Sequence, residues 1–288
     1  MIVCVGAINV DFIFISDRWP AEHEKHRADD YVCVGGGSAA NTAVELSMLG
    51  RQVGIIGGLG TDDLGDFALR RLVKAGVNVD HVVRRHGWKT GCAVIRSVGR
   101  SKSILTAGAV DADLIFNSLS ALEIQHGDHV HFSWAPFEDL HEQLQQWRRK
   151  GISLSWETNG RMSTPAAEFF DVILMNADEK AMYEHSGVLP NNWLTSSQHN
   201  VTVVVTLANI GAEAYFKGRR FFCGANKVKV VDRTGGGDAF DAGFLSAWLD
   251  RRPLDVCLKC GLESAAVIIG QLGPQRRSGA GAATELDR

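Results

Sequence analysis

The stretch Val231-Asp232-Arg233-Thr234-Gly235-Gly236-Gly237-Asp238-Ala239-Phe240-Asp241-Ala242-Gly243-Phe244 runs three consecutive glycines into an apolar helical pattern. Phe240, Phe244 and Trp248 recur at i, i+4 and i+8, so residues 238–250 read as a core-facing helix. A glycine loop entering a helix presents backbone N–H groups and the positive end of the helix dipole, which together form an anion site. Asp238 stands at the mouth of that site. A carboxylate beside a bound anion is costly unless it has a task, and accepting a proton from an attacking hydroxyl is such a task. The competing explanation is an aspartate that only caps the helix after a flexible loop.

Outward from this stretch, strand and helix patterns alternate. Strands are expected at 2–8, 53–57, 129–133, 152–156, 171–175 and 201–206, and helices at 38–49, 63–75, 138–150, 178–185, 238–250 and 254–270. Strands separated by helices need crossover connections, which gives an α/β fold with a mostly parallel sheet and helices on both faces. Residues 12–34 and 90–107 break the alternation. They hold hairpin-like pieces such as Thr90–Arg96 and Lys102–Thr106 around a turn at 98–101. These pieces are expected to pair into a small β-sheet lid over the site. Without a linker or repeat, residues 1–288 read as one domain carrying that lid. The Gly/Ala-rich tail from Ser278 to Arg288 is expected to be poorly ordered.

A first glycine cluster, Val34-Gly35-Gly36-Gly37-Ser38-Ala39-Ala40-Asn41, follows a strand and opens a helix. It matches G-x-G-x-x-A, but a dinucleotide fingerprint belongs in the first strand–helix unit and needs an acidic residue closing the next strand. That strand ends in Gly57-Gly58-Leu59-Gly60, with Asp62 and Asp63 only after the turn. The preferred reading is that the missing side chains let a small ligand approach the backbone. Asn41 on the first helical turn would then meet ligand hydroxyls. Neither a Walker-type loop nor a protein-kinase H-R-D is present.

The 288 residues are 45% apolar and 22% charged, which is ordinary for a folded chain. The 30 Lys and Arg against 33 Asp and Glu give a net charge of −3, which argues against a nucleic-acid partner. No run approaches the roughly 18 apolar residues of a membrane span. The N-terminal MIVCVGAINVDFIFIS has no basic leader and reads as a strand. The six cysteines read as reduced, buried thiols of a cytoplasmic protein. Cys257 and Cys260 form a C-x-x-C without further ligands at zinc spacing, and His126-Gly-Asp128-His129-Val-His131 reads as a turn plus a strand rather than a metal cluster.

Over about residues 2–274 the chain resembles the ribokinase-like (PfkB) carbohydrate kinases. Asp232-Arg233-Thr234-Gly235-Gly236-Gly237-Asp238-Ala239-Phe240 stands where that family has D-T-T-G-A-G-D-x-F. Gly36, Gly37 and Asn41 with Gly57-Gly58-Leu59-Gly60-Thr61-Asp62-Asp63-Leu64-Gly65 match the N-terminal signature. Asn176-Ala177-Asp178-Glu179 matches N-x-x-E, and Thr206-Leu207-Ala208-Asn209-Ile210-Gly211 matches T-L-G-x-x-G. The resemblance implies a three-layer α/β/α fold and an ATP-dependent sugar kinase. Asp238 would be the general base and Gly235, Gly236 and Gly237 the anion hole. Asp11, Gly36, Gly37 and Asn41 would bind the sugar, while Asn176, Thr206, Gly211 and Thr234 would bind the nucleotide. Glu179 would hold Mg2+ through water, and Asp232 would help hold a monovalent cation, K+, with carbonyls from the loop at Leu272-Gly273-Pro274. The lid would also mediate a homodimer.

Three departures stand out: Arg233 for Thr, Ala208 for Gly, and no acidic residue in 129–136. The segment Ser155-Trp156-Glu157-Thr158-Asn159 is also unusual. Two alternatives accompany the sugar-kinase reading: a nucleoside kinase, whose base slot would come from Phe12, Phe14 or Trp19, and a non-catalytic sugar-binding relative.

Overall fold

The computed structural model describes residues 1–98, 101–108, 117–133, 137–159, 164–186 and 199–276. The Gly/Ala-rich tail from Ser278, the centre of the 98–101 turn and the segment 134–136 lie outside the described residues.

The large sheet has nine strands. They are β1 (Ile2–Val5), β4 (Val53–Gly60), β5 (Val82–Arg85), β8 (His129–Phe132), β9 (Ser153–Glu157), β10 (Val172–Asn176), β11 (Thr202–Thr206), β12 (Gly211–Phe216) and β13 (Arg219–Gly224). Their order is β13-β12-β11-β10-β9-β8-β1-β4-β5, with every pairing parallel except β11–β12 and β12–β13 at the β13 edge. The central strands are apolar runs such as Val-Ile-Leu-Met in β10, because helices cover both faces. Helices α3 (Phe137–Arg149) and α4 (Ala177–Ser186) lie on one face; α1 (Ser38–Met48), α2 (Asp63–Lys74), α5 (Gly236–Leu249) and α6 (Leu254–Ile269) lie on the other. None of the described helices is long and apolar enough to cross a membrane.

A separate sheet of four strands joins β2 (Asn9–Ile15), β3 (Asp30–Gly36), β6 (Gly91–Val98) and β7 (Ser101–Ala107) in the order β3-β2-β6-β7. It contains both segments that broke the alternation. The single strand expected over 2–8 is shorter: β1 ends at Val5, the chain bends at Gly6, and β2 starts the small sheet at Asn9. The second crossing into the small sheet is fastened by Asp62. Its carboxylate caps α2 by accepting from Gly65 N at 2.9 Å and also accepts from Thr90 N at 2.9 Å and Thr90 Oγ1 at 2.5 Å.

Alternation along β8 and β9 sends Val130, Phe132, Leu154 and Trp156 to the α3/α4 face. It sends buried His129, His131 and Ser155 and half-buried Ser153 to the α5 face, where they form a polar strip beside Trp248 and Asp241. His129 bonds Ser153 Oγ at 2.8 Å and Ser155 Oγ at 2.7 Å, and His131 Nδ1 meets Ser155 Oγ at 2.9 Å. The apolar packing of α5 is thereby divided into two clusters, one on each side of the strip. The cysteines are all free, as six thiols, but only Cys4 and Cys257 are buried; the other four are partly exposed. Burial pushes the Cys257 thiol up to about 12, so it is a poor nucleophile.

Candidate active site

The C-terminal ends of the parallel strands and the start of α5 form one edge of the molecule, the usual place for ligands in open α/β sheets. The loop before α5 is shaped by Asp232, which is 1% exposed. Its Oδ1 accepts from Thr234 N at 3.0 Å and Thr234 Oγ1 at 2.8 Å, and its Oδ2 accepts from Gly273 N at 3.1 Å. Asp232 and Thr234 are thus placed together as a clamp that ties the loop to residue 273, and the Thr234 hydroxyl is committed to that clamp. Gly235 caps α5 with φ of 76°, a left-handed conformation, and packs so closely that a Cβ would lie 2.6 Å from Pro274. Gly236 donates its N–H to Arg233 O at 3.3 Å, while Ala239 N starts the helical ladder on Gly235 O at 2.9 Å. A Cβ on Gly237 would meet nothing within 4 Å. Of the three glycines expected to form an anion hole, Gly237 is the one that opens to free space in the first helical turn, where N–H groups have no helical acceptor.

Asp238 is 8% exposed and lies inside the helix, not at its cap, which disposes of the capping explanation. Its Oδ2 accepts from Asn41 Nδ2 at 2.7 Å, and Asn41 Oδ1 accepts from Gln275 Nε2 at 3.2 Å. The Asn41 amide, expected to face ligand hydroxyls, therefore joins α1 to Asp238 and to the loop after α6.

The first glycine cluster is occupied by the protein itself. A Cβ on Gly36 would stand 2.2 Å from the Asp11 carboxyl, one on Gly35 2.7 Å from the Gln275 amide, and one on Gly37 2.4 Å from Ala7 O. The missing side chains make room for Asp11 and Gln275, not directly for a ligand. Asp11, Gly36, Gly37, Asn41 and Asp238 nevertheless form one connected group, with Gln275 bridging its halves. Gln275 was not legible beforehand because its partners are distant in sequence. Phe12 and Phe14 alternate away from Asp11: Phe12 packs in the cluster with Leu64 and Phe67, and Phe14 stacks on Tyr31 at 5.7 Å. Trp19, the third residue expected to make a base slot, is 41% exposed and donates from Nε1 to Ser103 Oγ at 2.5 Å.

On the other side, Asn176 and Thr206 are register partners at the ends of β10 and β11, and Gly211 opens β12 beside them. N-x-x-E forms a capping box: Asn176 Oδ1 accepts from Glu179 N at 2.9 Å, and Glu179 Oε2 accepts from Asn176 N at 2.9 Å. Glu179 Oε2 also takes the Thr158 hydroxyl at 3.1 Å. Carboxylate and amide oxygens at this edge suit Mg2+, which prefers oxygen donors and keeps its waters. Ala208, standing for the family glycine, takes φ of 51° in the left-handed region.

Two further acids receive no role from sequence, although Glu157 belongs to the unusual segment 155–159. Glu157 closes β9, and Asp241 lies one helical turn after Asp238 on the same face of α5, a spacing that could have revealed it. Burial, and then the charges of Asp238, Asp241 and Glu179, hold the Glu157 carboxyl well above the usual range. Asp241 is raised by burial, Asp238 and Glu179. Burial drives His129 and His131 down to about 3, so both imidazoles are neutral. A cavity of about 310 Å³ lies elsewhere, along α5 and α6 near Ser246, Cys260 and Arg276, and none of the expected site residues lines it.

Residues 1–278 match the pfkB family carbohydrate kinase domain. The chain is similar to a 5-dehydro-2-deoxygluconokinase from Lacticaseibacillus casei, with 27% identity over 94% of this chain and 90% of that one. It superposes on the nucleoside kinase of Methanocaldococcus jannaschii, an archaeal ribokinase-family member, with a TM-score of 0.78 at 23% identity, covering 95% of this chain and 93% of the other. The Arabidopsis thaliana ribokinase complexed with ribose and ATP aligns with a TM-score of 0.75 at 21% identity, covering 94% and 93% of the two chains.

Proposed function

The chain belongs to the pfkB family of carbohydrate kinases, and from that premise we propose that it transfers the γ-phosphoryl group of ATP to a hydroxyl of a sugar or sugar derivative, with Asp238 as the general base. The observation that carries this reading is the placement of Asp238: buried, held by Asn41, and one residue past the glycine that opens to free space. Phosphoryl transfer is catalysed mainly by positioning and by stabilising charge on the equatorial oxygens. The Gly235–Gly237 loop supplies N–H donors for that charge. The acceptor proton leaves late in a loose transition state, so an aspartate suffices to receive it.

In this reading Asp11, Gly36, Gly37 and Asn41 form the sugar side. Asp11 faces the acceptor, while Asn41 orients Asp238. Asn176, Thr206 and Gly211 form the nucleotide side, and Thr234 acts through the Asp232 clamp. Mg2+ supplies charge neutralisation of the phosphates when bound, and Glu179 and Asn176 would hold its waters. Asp232 already receives donors on both oxygens, so its work is on the loop, and K+ is not needed to explain its conformation. The small sheet acts as a lid. Its Ile13 and Val34 lie 3.8 and 3.5 Å from where a side chain on Gly273 would project, which puts the sheet against the loop that Asp232 clamps. Tyr31 and Leu105, which the strand register puts on the same face of this sheet, are exposed at 48% and 70%, an apolar face suited to pairing with a second copy.

The test is an ADP-release assay over a panel of hexoses, pentoses, deoxy- and keto-sugar acids, amino-acid-modified sugars and nucleosides, with the phosphorylated product identified by mass. Stoichiometric phosphorylation of one or more sugars is expected. Turnover confined to nucleosides, or none at all, would overturn the reading.

A further inference from the structure

We propose that His131, Glu157 and Asp241 form a binding site for a first-row divalent transition-metal ion, beneath the glycine loop and distinct from the cation that accompanies a nucleotide. One ring nitrogen of His131 and one carboxylate oxygen from each of Glu157 and Asp241 all lie within 4.8 Å of one another. Ligand atoms about 2.0–2.2 Å from a metal stand roughly 3.4 Å apart in a tetrahedral shell. The trio therefore has to draw in by at most about 1.4 Å, through rotations of the two acidic side chains.

Three observations favour a metal over a chance cluster. The first is Asp241. It is 3% exposed and its side chain makes no hydrogen bond or ion pair among the described residues, yet one carboxyl oxygen lies within 4.8 Å of the other two donors. Burial, Asp238 and Glu179 favour the protonated form of this carboxyl, and without a partner its ionised form is strongly unfavourable. A divalent ion would take the place of that proton, which is released to solvent on binding.

The second observation is the state of His131. It is fully buried, and Ser155 engages Nδ1 at 2.9 Å, while Nε2 has only a long 3.3 Å contact to Ser133. A ligating histidine commonly has its outer nitrogen fixed by such a partner, and we assign Nε2 as the ligand. The His–Ser strip under α5 thereby acquires a purpose: it orients the imidazole. On the Glu157 side, Asn159 Nδ2 donates to Oε2 at 3.1 Å and to Ser133 O at 2.7 Å, which holds the ends of β8 and β9 together.

The third is donor chemistry. One imidazole and two carboxylates suit Zn2+, Mn2+, Fe2+ or Co2+, whereas Mg2+ prefers all-oxygen surroundings. Glu179, the acid on the nucleotide side, is outside the trio and is bonded to Asn176 and Thr158.

The test uses the full chain, stripped with a chelator and free of nucleotide, titrated with Co2+ and with Mn2+. One ion per chain is expected, with a Co2+ visible spectrum of low coordination number, a rise in melting temperature, and nitrogen coupling from one imidazole in pulsed EPR of the Mn2+ form. Asp241→Asn and His131→Gln should each weaken binding by more than the roughly 10–100-fold that loss of an outer-shell partner costs. Glu179→Gln should leave binding intact. Absence of stoichiometric binding, absence of the nitrogen coupling, or binding undiminished in both ligand variants would overturn the proposal. Binding lost only in Glu179→Gln would overturn it as well. The nitrogen coupling is read on the wild-type chain, so it decides the matter even if a variant fails to fold.

Discussion

At Gly36 an added Cβ would stand 2.2 Å from the Asp11 carboxyl, while at Gly237 it would meet nothing within 4 Å. Both glycines belong to a three-glycine run ahead of a helix, and in sequence the two runs look alike. The first run is a socket that the protein fills with its own Asp11, Gln275 and Ala7 carbonyl. The second is closed at Gly235 and Gly236, against Pro274 and Ile269, and open at Gly237. Glycine is required in the first by internal packing and in the second by a mixture of backbone conformation and access. Only at the open position would an added side chain project into free space.

This contrast ranks the expected effects of substitution. Gly36→Ala should be the most damaging, because a buried carboxylate must be displaced. Overpacking typically costs about 1–3 kcal/mol and can cost more. Denaturant melts would measure it, and Asp11→Ala in the same chain should recover part of the loss, since the two positions are in direct contact. Independent, additive effects would break the socket account. Gly235→Ala follows, with about 1–2 kcal/mol from the left-handed backbone and a further term from Pro274, read as a lowered melting temperature.

Gly237→Ala should behave differently. The position is exposed on the first turn of α5, so stability should hold or rise by up to about 1 kcal/mol. Turnover should nonetheless fall, since a methyl then intrudes on the open side of the loop. A stability loss as large as that of Gly36→Ala would mean the two runs are not distinct. The smallest effect is expected at Ala208→Gly, on the exposed nucleotide-side loop. Relief of φ of 51° should stabilise the chain by up to about 1 kcal/mol, detectable as a small upward shift in melting temperature.

The alternation of elements was readable because each depends on local periodicity. β10, β11 and α2 lie within a residue or two of their expected places. The small sheet was readable for the opposite reason, as two segments where helical spacing fails. What local pattern did not reveal depends on contacts far apart in sequence. Gln275 reaches Asn41 across 234 residues. Glu157 and His131 come together only because β8 and β9 are neighbours in the sheet. His129 and His131 alternate like the entry to a strand, which favours a strand over a metal cluster in sequence, and both lie in β8. A single strand over 2–8 is expected because Ile2 to Ile8 is apolar apart from Gly6, and hydropathy alone does not mark a bend between two sheets.

The most direct test of the central claim is steady-state turnover of Asp238→Asn beside the wild type, with melting temperature and nucleotide binding measured on the same preparations. The asparagine keeps an oxygen able to accept from Asn41 but cannot take the acceptor proton. The expected result is a fall in kcat of about 10²–10⁴-fold with folding and nucleotide affinity retained. Near-normal turnover in the folded variant would contradict the account.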